Sequence, residues 1–307
     1  MTTTDPAGTA SALLFEHINL NVPDVELARA FYVRGLGGQE NPVGTNARQL
    51  HINMGSSQLH LPFRASIANN EPVEVAQVWP GEVMLWTNEA LEAVRARLAD
   101  VCPSAAPHFR GTDNGELCCI CPWGNRFVLQ RAPTGYSVAG EHAGGSAGLV
   151  AMPLVTMPIP TGRAEAIARF YSLILGCSAR LVGNGCCEVG FNGQQTLRFE
   201  EIEDAPPVDA YDHNEAAASH ICIYLESDAA FTAAFERANA ANLLFVNPRF
   251  EGGPPEFASA ASWEEATACG QFRLKDMVDV SNGSLGLVLE HEVRTPSHKS
   301  CPLKARR

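Results

Sequence analysis

Polar and apolar side chains alternate at the start of the ordered pattern, with Ile18, Leu20 and Val22 set against His17, Asn19 and Asn21. A period of two predicts a β-strand with one face in a core. The stretch that follows, VELARAFYVRGLGG (Val25 to Gly38), changes to helical spacing and stops at glycine. Its block ARAFYVRGLGG (Ala28 to Gly38) returns nearly half the chain later as IARFYSLILGC (Ile167 to Cys177). Each copy follows a strand and precedes a Gly-rich turn and further strand-like runs.

The same order recurs between and after these copies. EVMLWT (Glu82 to Thr87) reads as a strand, NEALEAVRARLAD as an amphipathic helix on Leu91, Val94 and Leu98, and ELCCICPWGNRFVLQRA as two strands about a turn. A fourth set starts at HICIYLES (His220 to Ser227), continues with a helix DAAFTAAFERANAAN and closes on LGLVLEHEV (Leu285 to Val293). The pattern predicts an α+β protein of four tandem βαβββ modules. Two modules fill residues 12–133 as an N-terminal domain and two fill 152–294 as a C-terminal domain. A Gly/Ser/Ala-rich linker, 134–151, separates them, and a basic tail, 295–307, is expected to fray. Polar or Pro-rich insertions near Glu203 to Ser219 and Glu251 to Ala268 read as loops.

The chain has 307 residues, enough for two domains, and a formal net charge of −12. That charge argues against nucleic acid as a partner. No apolar run reaches the roughly 18 residues that span a bilayer, so no membrane partner is expected. The opening MTTTDPAGTASALLF lacks the basic and apolar regions of a secretory signal. Ten cysteines without zinc-site spacing read as buried thiols in a reducing compartment, which makes the protein cytoplasmic.

A helix laid on a sheet takes the apolar face, so the polar face must look into a cavity, a partner or solvent. In the first module that face carries His17, Asn19 and Asn21, then Gln49, His51 and Asn53, then Gln58 and His60. The second adds Glu82, Met84 and Trp86, then Arg126, Val128 and Gln130. The third offers Thr196, Arg198 and Glu200, and the fourth His220, Cys222 and Tyr224 with Glu290 and Glu292. His291, between those carboxylates, is expected to point away from them, at the surface. Burying such groups unpaired costs about 1–3 kcal/mol each, which is the physical reason to expect a site on each concave face.

These motifs, HINLNVPDVELARAFYVRGLGG, QLHLP and PWGNRFVLQ in tandem βαβββ modules, resemble the vicinal oxygen chelate superfamily, which includes glyoxalase I, extradiol dioxygenases and bleomycin-resistance proteins. The resemblance implies modules paired into two half-barrel domains, each a cup able to hold a divalent metal on ligands from first and last strands. Matched strand by strand, it implies His17, His60 and Glu82 as ligands. The last-strand position of the second module falls on Val128, a departure from the family pattern, with Gln130 two residues on. In the other half, Thr156 or Met157 and Arg198 occupy ligand positions beside His220 and Glu290, a poor metal set that implies a degenerate cup or one binding an anion directly through Arg198. Two His and one carboxylate suit Fe, Mn, Zn or Ni.

Two functions follow from the resemblance. One is a metal-dependent lyase, isomerase or extradiol-type dioxygenase acting on a small oxygen-rich substrate. In it Glu82 and Glu290 would be the catalytic carboxylates, and Asn19, Trp86, Arg198 and Tyr224 would line the substrate pocket. The other is a metal-free protein that binds or sequesters a small molecule. Either would act as a monomer or homodimer.

Overall fold

The computed structural model describes residues 12–65, 70–111, 115–138, 140–183, 185–210, 219–250 and 260–304. Residues 1–11 of the opening segment, parts of both expected insertions (211–218 and 251–259) and residues 305–307 of the tail lie outside the described residues.

Four modules are present in the expected order. The first is β1 (Ala12–Asn19), helix α1 (Val25–Ala28), β2 (Gln39–Glu40), β3 (Gln49–Met54) and β4 (Ser57–Pro62). The second is β5 (Glu82–Thr87), α2 (Leu91–Val101), β6 (His108–Arg110), β7 (Glu116–Ile120) and β8 (Arg126–Arg131). The third is β9 (Leu149–Ile159), α3 (Ala164–Phe170), β10 (Ala179–Leu181), β11 (Cys186–Phe191) and β12 (Gln195–Glu201). The fourth is β13 (His220–Leu225), α4 (Asp228–Ala240), α5 (Trp263–Cys269), β14 (Gln271–Val278) and β15 (Leu285–Arg294).

The repeated sequence block folds the same way twice. Helix α1 runs on as a π-helical turn, Arg29–Gly35, and α3 as Tyr171–Leu175. In both copies the Phe-Tyr pair is fully buried, Phe31 with Tyr32 and Phe170 with Tyr171. These rings join Ile18, Leu50, Leu59, Leu85 and Leu98 beneath the helical layer in one apolar core. Each fully buried large side chain contributes about 1.5–3 kcal/mol. Alternation then leaves the polar face of every strand on the concave side.

The two expected half-barrels are formed, but their partners differ from the sequence expectation. β1 pairs antiparallel with β13 and parallel with β4, so the first module shares a sheet with the fourth. β5 pairs antiparallel with β9 and parallel with β8, so the second shares a sheet with the third. Among the described residues no strand pair joins the first module to the second, and one parallel bridge, Ala12 to Phe191, connects the two half-barrels. All four modules offer a first-strand edge of similar chemistry, so periodicity cannot rank the pairings.

Three further expectations change. The linker is docked: Asn53 Nδ2 donates to the carbonyls of Ala143 (2.9 Å) and Gly145 (2.8 Å), and its last residues, 149–151, already belong to β9. The tail is ordered by successive turns through residue 304, with His298 and Cys301 buried. The second insertion contains α5, started by a capping box of Ser262 and Glu265. Among the described residues no helix is long and apolar enough to cross a membrane.

Candidate metal centre

The hollow of the first and fourth modules gathers side chains from six strands. On β1 the register against β13 shifts between Phe15 and His17. This β-bulge re-aims the strand, so that Glu16 and His17, consecutive in sequence, are both buried at 1% exposure and bonded to each other. His17 Nδ1 donates to Glu16 Oε2 at 2.5 Å, which leaves Nε2 as the nitrogen that faces the hollow. That nitrogen lies 3.3 Å from His220 Nε2 on β13, and His220 Nε2 lies 3.5 Å from Glu292 Oε2 on β15.

Donors held about 2.0–2.2 Å from a single ion stand about 3–3.5 Å from one another. The His17–His220 and His220–Glu292 separations match that spacing, all three donors lie within 4.8 Å of one another, and the Glu16–His17 bond is the kind of outer-shell contact that fixes a ligand's tautomer. The donor set therefore fits a divalent metal. Burial pushes His220 down to about 4, so its imidazole is neutral and able to donate a lone pair near pH 7. Burial also pushes Glu292 upward, but Arg273 and Arg294 outweigh it and hold the carboxylate well below its usual range.

The hollow is densely charged and closed. Arg273 donates to Glu290 (2.6 Å) and Glu292 (2.5 Å), and Arg294 contacts both Glu292 and Glu16. Asn247 donates to both oxygens of Glu290 at 2.9 and 2.8 Å. Three buried carboxylates, Glu16, Glu290 and Glu292, face three buried guanidinium groups, Arg249, Arg273 and Arg294. These six charged groups balance one another, as low-dielectric burial requires.

The expected site residues divide between the two cups. His17 and His60 are brought together on the face opposite the helices, with ring centroids 3.7 Å apart. The His60 ring is stacked flat on His17, though, and its Nε2 bonds Gln58 Oε1 at 2.8 Å. His51 stacks on its other side at 3.6 Å. Asn19 sits between its strand partners His220 and His60, with a buried Nδ2 that has no hydrogen-bond partner among the described residues. Tyr224 lies on the wall of the same hollow, its hydroxyl accepting from Arg294 at 3.1 Å. Glu290 is on the expected face, but it is Glu292, two residues on, that reaches the histidines.

Glu82, Gln130, Arg198 and Trp86 belong elsewhere. The set His17, His60 and Glu82 does not form, because β5 lies in the other half-barrel. There Glu82 is part-exposed and pairs with Arg110 at 3.2 Å, and Gln130 donates to Glu116 at 2.8 Å. Arg198 donates through Nε (3.0 Å) and Nη2 (2.6 Å) to one oxygen of Glu188, and the Thr156 hydroxyl accepts from the Glu82 amide at 2.9 Å. Trp86 packs edge-on against Tyr136 at 5.0 Å beside a shallow pocket shared with Ser56, Ser57 and Gln195, where the half-barrels meet. His291 is not at the surface. It is fully buried under the helices, with Nδ1 donating to the Leu289 carbonyl and Nε2 accepting from Tyr171, both at 2.7 Å.

Sequence reasoning missed Glu16, Arg273, Arg294 and His142, whose Nε2 reaches Glu16 Oε1 at 3.0 Å. Strict alternation puts Glu16 on the helix side with Ile18, and only the bulge turns it inward.

No protein-family model and no curated protein matches the chain. Solved structures do. A putative dioxygenase from Bacillus subtilis aligns with a TM-score of 0.54 and 11% identity over 94% of this chain and 86% of its own. Glyoxalase I from Zea mays aligns with a TM-score of 0.52 and 12% identity over 93% of this chain and 92% of its own. The chain thus shares the fold of these two proteins, in a single chain of four modules.

Proposed function

We propose that the protein is a divalent-metal-dependent enzyme, a lyase, isomerase or dioxygenase acting on a small oxygen-rich molecule. The observation that carries this reading is the convergence of His17 Nε2, His220 Nε2 and a Glu292 oxygen within 4.8 Å of one another. They lie where the first strands of the outer modules meet. A bound divalent ion would supply Lewis-acid polarisation of substrate oxygens. Glu16 keeps the proton on His17 Nδ1, so the other nitrogen stays available as a donor. Asn19 Nδ2, an unspent donor beside the histidines, would bind a substrate oxygen. The closed walls keep water from the reacting atoms. All ten cysteines are unpaired thiols, which supports a reducing, cytoplasmic setting.

The metal-free binding protein is the second reading. It is favoured by the two arginines that already neutralise Glu292. Elemental analysis of protein purified without chelator separates the two. The first reading expects about one ion per chain, lost in His17→Ala, His220→Ala and Glu292→Ala but retained in Glu82→Gln. Wild-type protein that carries no metal and acquires none on dialysis would leave the second reading standing.

A further inference from the structure

The three arginines of the hollow are not used alike. Arg273 donates to Glu290 and Glu292, and Arg294 contacts Glu292 and Glu16. The Arg249 guanidinium donates only to neutral oxygens, Asn21 Oδ1 at 3.1 Å and the Arg64 carbonyl at 3.0 Å. Among the described residues it forms no ion pair. Burial pushes its pKa down to about 10, so it stays charged at neutral pH. Glu290 pulls the other way from a distance, but both oxygens of that carboxylate are held by Asn247, and Arg273 donates to one of them. A clamp between two neutral oxygens needs no charge. A guanidinium 9% exposed without a counterion is destabilising unless something anionic comes to it.

The chain nonetheless fixes this cation in place. Asn247 Oδ1 accepts from the Arg249 amide at 2.9 Å while its Nδ2 holds Glu290, which ties the turn Pro248–Phe250 to β15. The Phe250 ring lies 4.5 Å from the Arg273 guanidinium. Past the end of β1 the amides of Leu20 and Val22 still donate to the carbonyls of His60 and Pro62, at 2.8 and 2.9 Å, so the backbone stays extended. Asn21 therefore stands one strand repeat, about 7 Å, beyond Asn19 on the same face. Asn19 Nδ2 is a buried donor without a partner among the described residues, and Asn19 pairs with His220. Along one edge of the hollow come a candidate metal ligand at His17, an open donor at Asn19, and Arg249 on Asn21.

Charge adds a second constraint. The three carboxylates and three guanidinium groups balance before any ion enters. A divalent cation leaves two positive charges in excess in a desolvated site, and an anion must offset them. We propose that the substrate is a dianion: a small acid that offers two neighbouring oxygens to the metal and a second carboxylate to Arg249. The inference rests on the metal reading above and adds the substrate class to it.

The test uses full-length protein, Zn2+ and two matched pairs of probes, 2-oxoglutarate against 2-oxopentanoate and 2-oxoadipate against 2-oxohexanoate. Within a pair the chelating 2-oxo acid end is the same, and a methyl group replaces the distal carboxylate. Zn2+ affinity is read by competition with a chromogenic chelator, and acid binding by calorimetry on the loaded protein. Wild type should bind at least one dicarboxylate about 10–100-fold more tightly than its partner, the range of a charge-assisted hydrogen bond. Arg249→Gln should bring that pair level, and Arg249→Lys should keep part of the preference, with Zn2+ affinity unchanged in both. Loaded wild type that prefers neither dicarboxylate, or a preference that survives in Arg249→Gln, overturns the assignment while the metal centre stands. Wild type that takes up no Zn2+ overturns both.

Discussion

His291 offers the cleanest measurable consequence of the fold, because it is buried beneath the helices and apart from the hollow. Burial pushes its pKa down from 6.5 to about 4, against a smaller upward pull from the Leu289 carbonyl. The folded protein therefore keeps it neutral where the unfolded chain would protonate it. The stability this neutral group contributes is complete above pH 6.5 and is lost as pH falls towards 4. Between pH 8 and pH 5 one such histidine costs about 2 kcal/mol, and below pH 4 its loss levels off near about 3 kcal/mol. The perturbation is His291→Phe combined with Tyr171→Phe, which removes both ends of their hydrogen bond and leaves no orphaned hydroxyl. Urea midpoints at pH 8 and pH 5 give each protein's acid sensitivity. The wild type should lose about 2 kcal/mol more than the double variant over this range. His51, His60, His220 and His298 remain in both proteins and cancel. Equal losses would mean that His291 is charged or exposed in the folded state, and would refute its placement.

Two other outcomes follow from the geometry. Glu16→Gln should weaken Zn2+ binding about 10–100-fold, the usual cost of losing an outer-shell carboxylate, as read by competition with a chromogenic chelator; unchanged affinity would mean that the His17 tautomer does not depend on Glu16. Residues 1–133 and 134–307 produced separately should each be unfolded or insoluble and should regain structure only when mixed, because β1 and β5 each lose a ladder partner to the other piece; a cooperative, monomeric 1–133 measured by circular dichroism would contradict the pairing.

Much of the architecture was legible because each module obeys two local rules. Strands such as Glu82–Thr87 alternate cleanly between buried and part-exposed positions, and the Phe-Tyr pairs mark the same π-helical turn twice. The residues of the centre are legible as a face: alternation alone places His17, His60, His220 and Glu292 on the concave side. What periodicity does not carry is the long-range choice of strand partner, which keeps Glu82 out of the cup that holds His17. Glu16 escaped for a local reason, since a single bulge reverses the face that alternation assigns. His291 had a usable signal. It follows Leu287 and Leu289 in period two, so the strand itself predicted burial, and a neutral imidazole bonded at both nitrogens is an acceptable core residue.

The pairing of outer with outer and inner with inner modules also explains why the two concave faces differ so much. His17 and His220 stand 203 residues apart in the chain, yet their strands are neighbours, so the centre exists only when the whole chain has folded. The linker and the segment after β15 both emerge beside that same hollow and cover it. The inner pair meets the linker at Trp86 and Tyr136, but Glu82 with Arg110 and Arg198 with Glu200 keep between about a third and a half of their surface in solvent. Ion pairs that wet are worth at most about 1 kcal/mol each. The carboxylates and arginines of the outer pair are almost wholly desolvated, so any change in charge there must be answered by movement of a neighbouring ion. A divalent cation held between His220 and Glu292 Oε2 would meet an oxygen already bonded to Arg273, so the guanidinium it must displace is the one on β14.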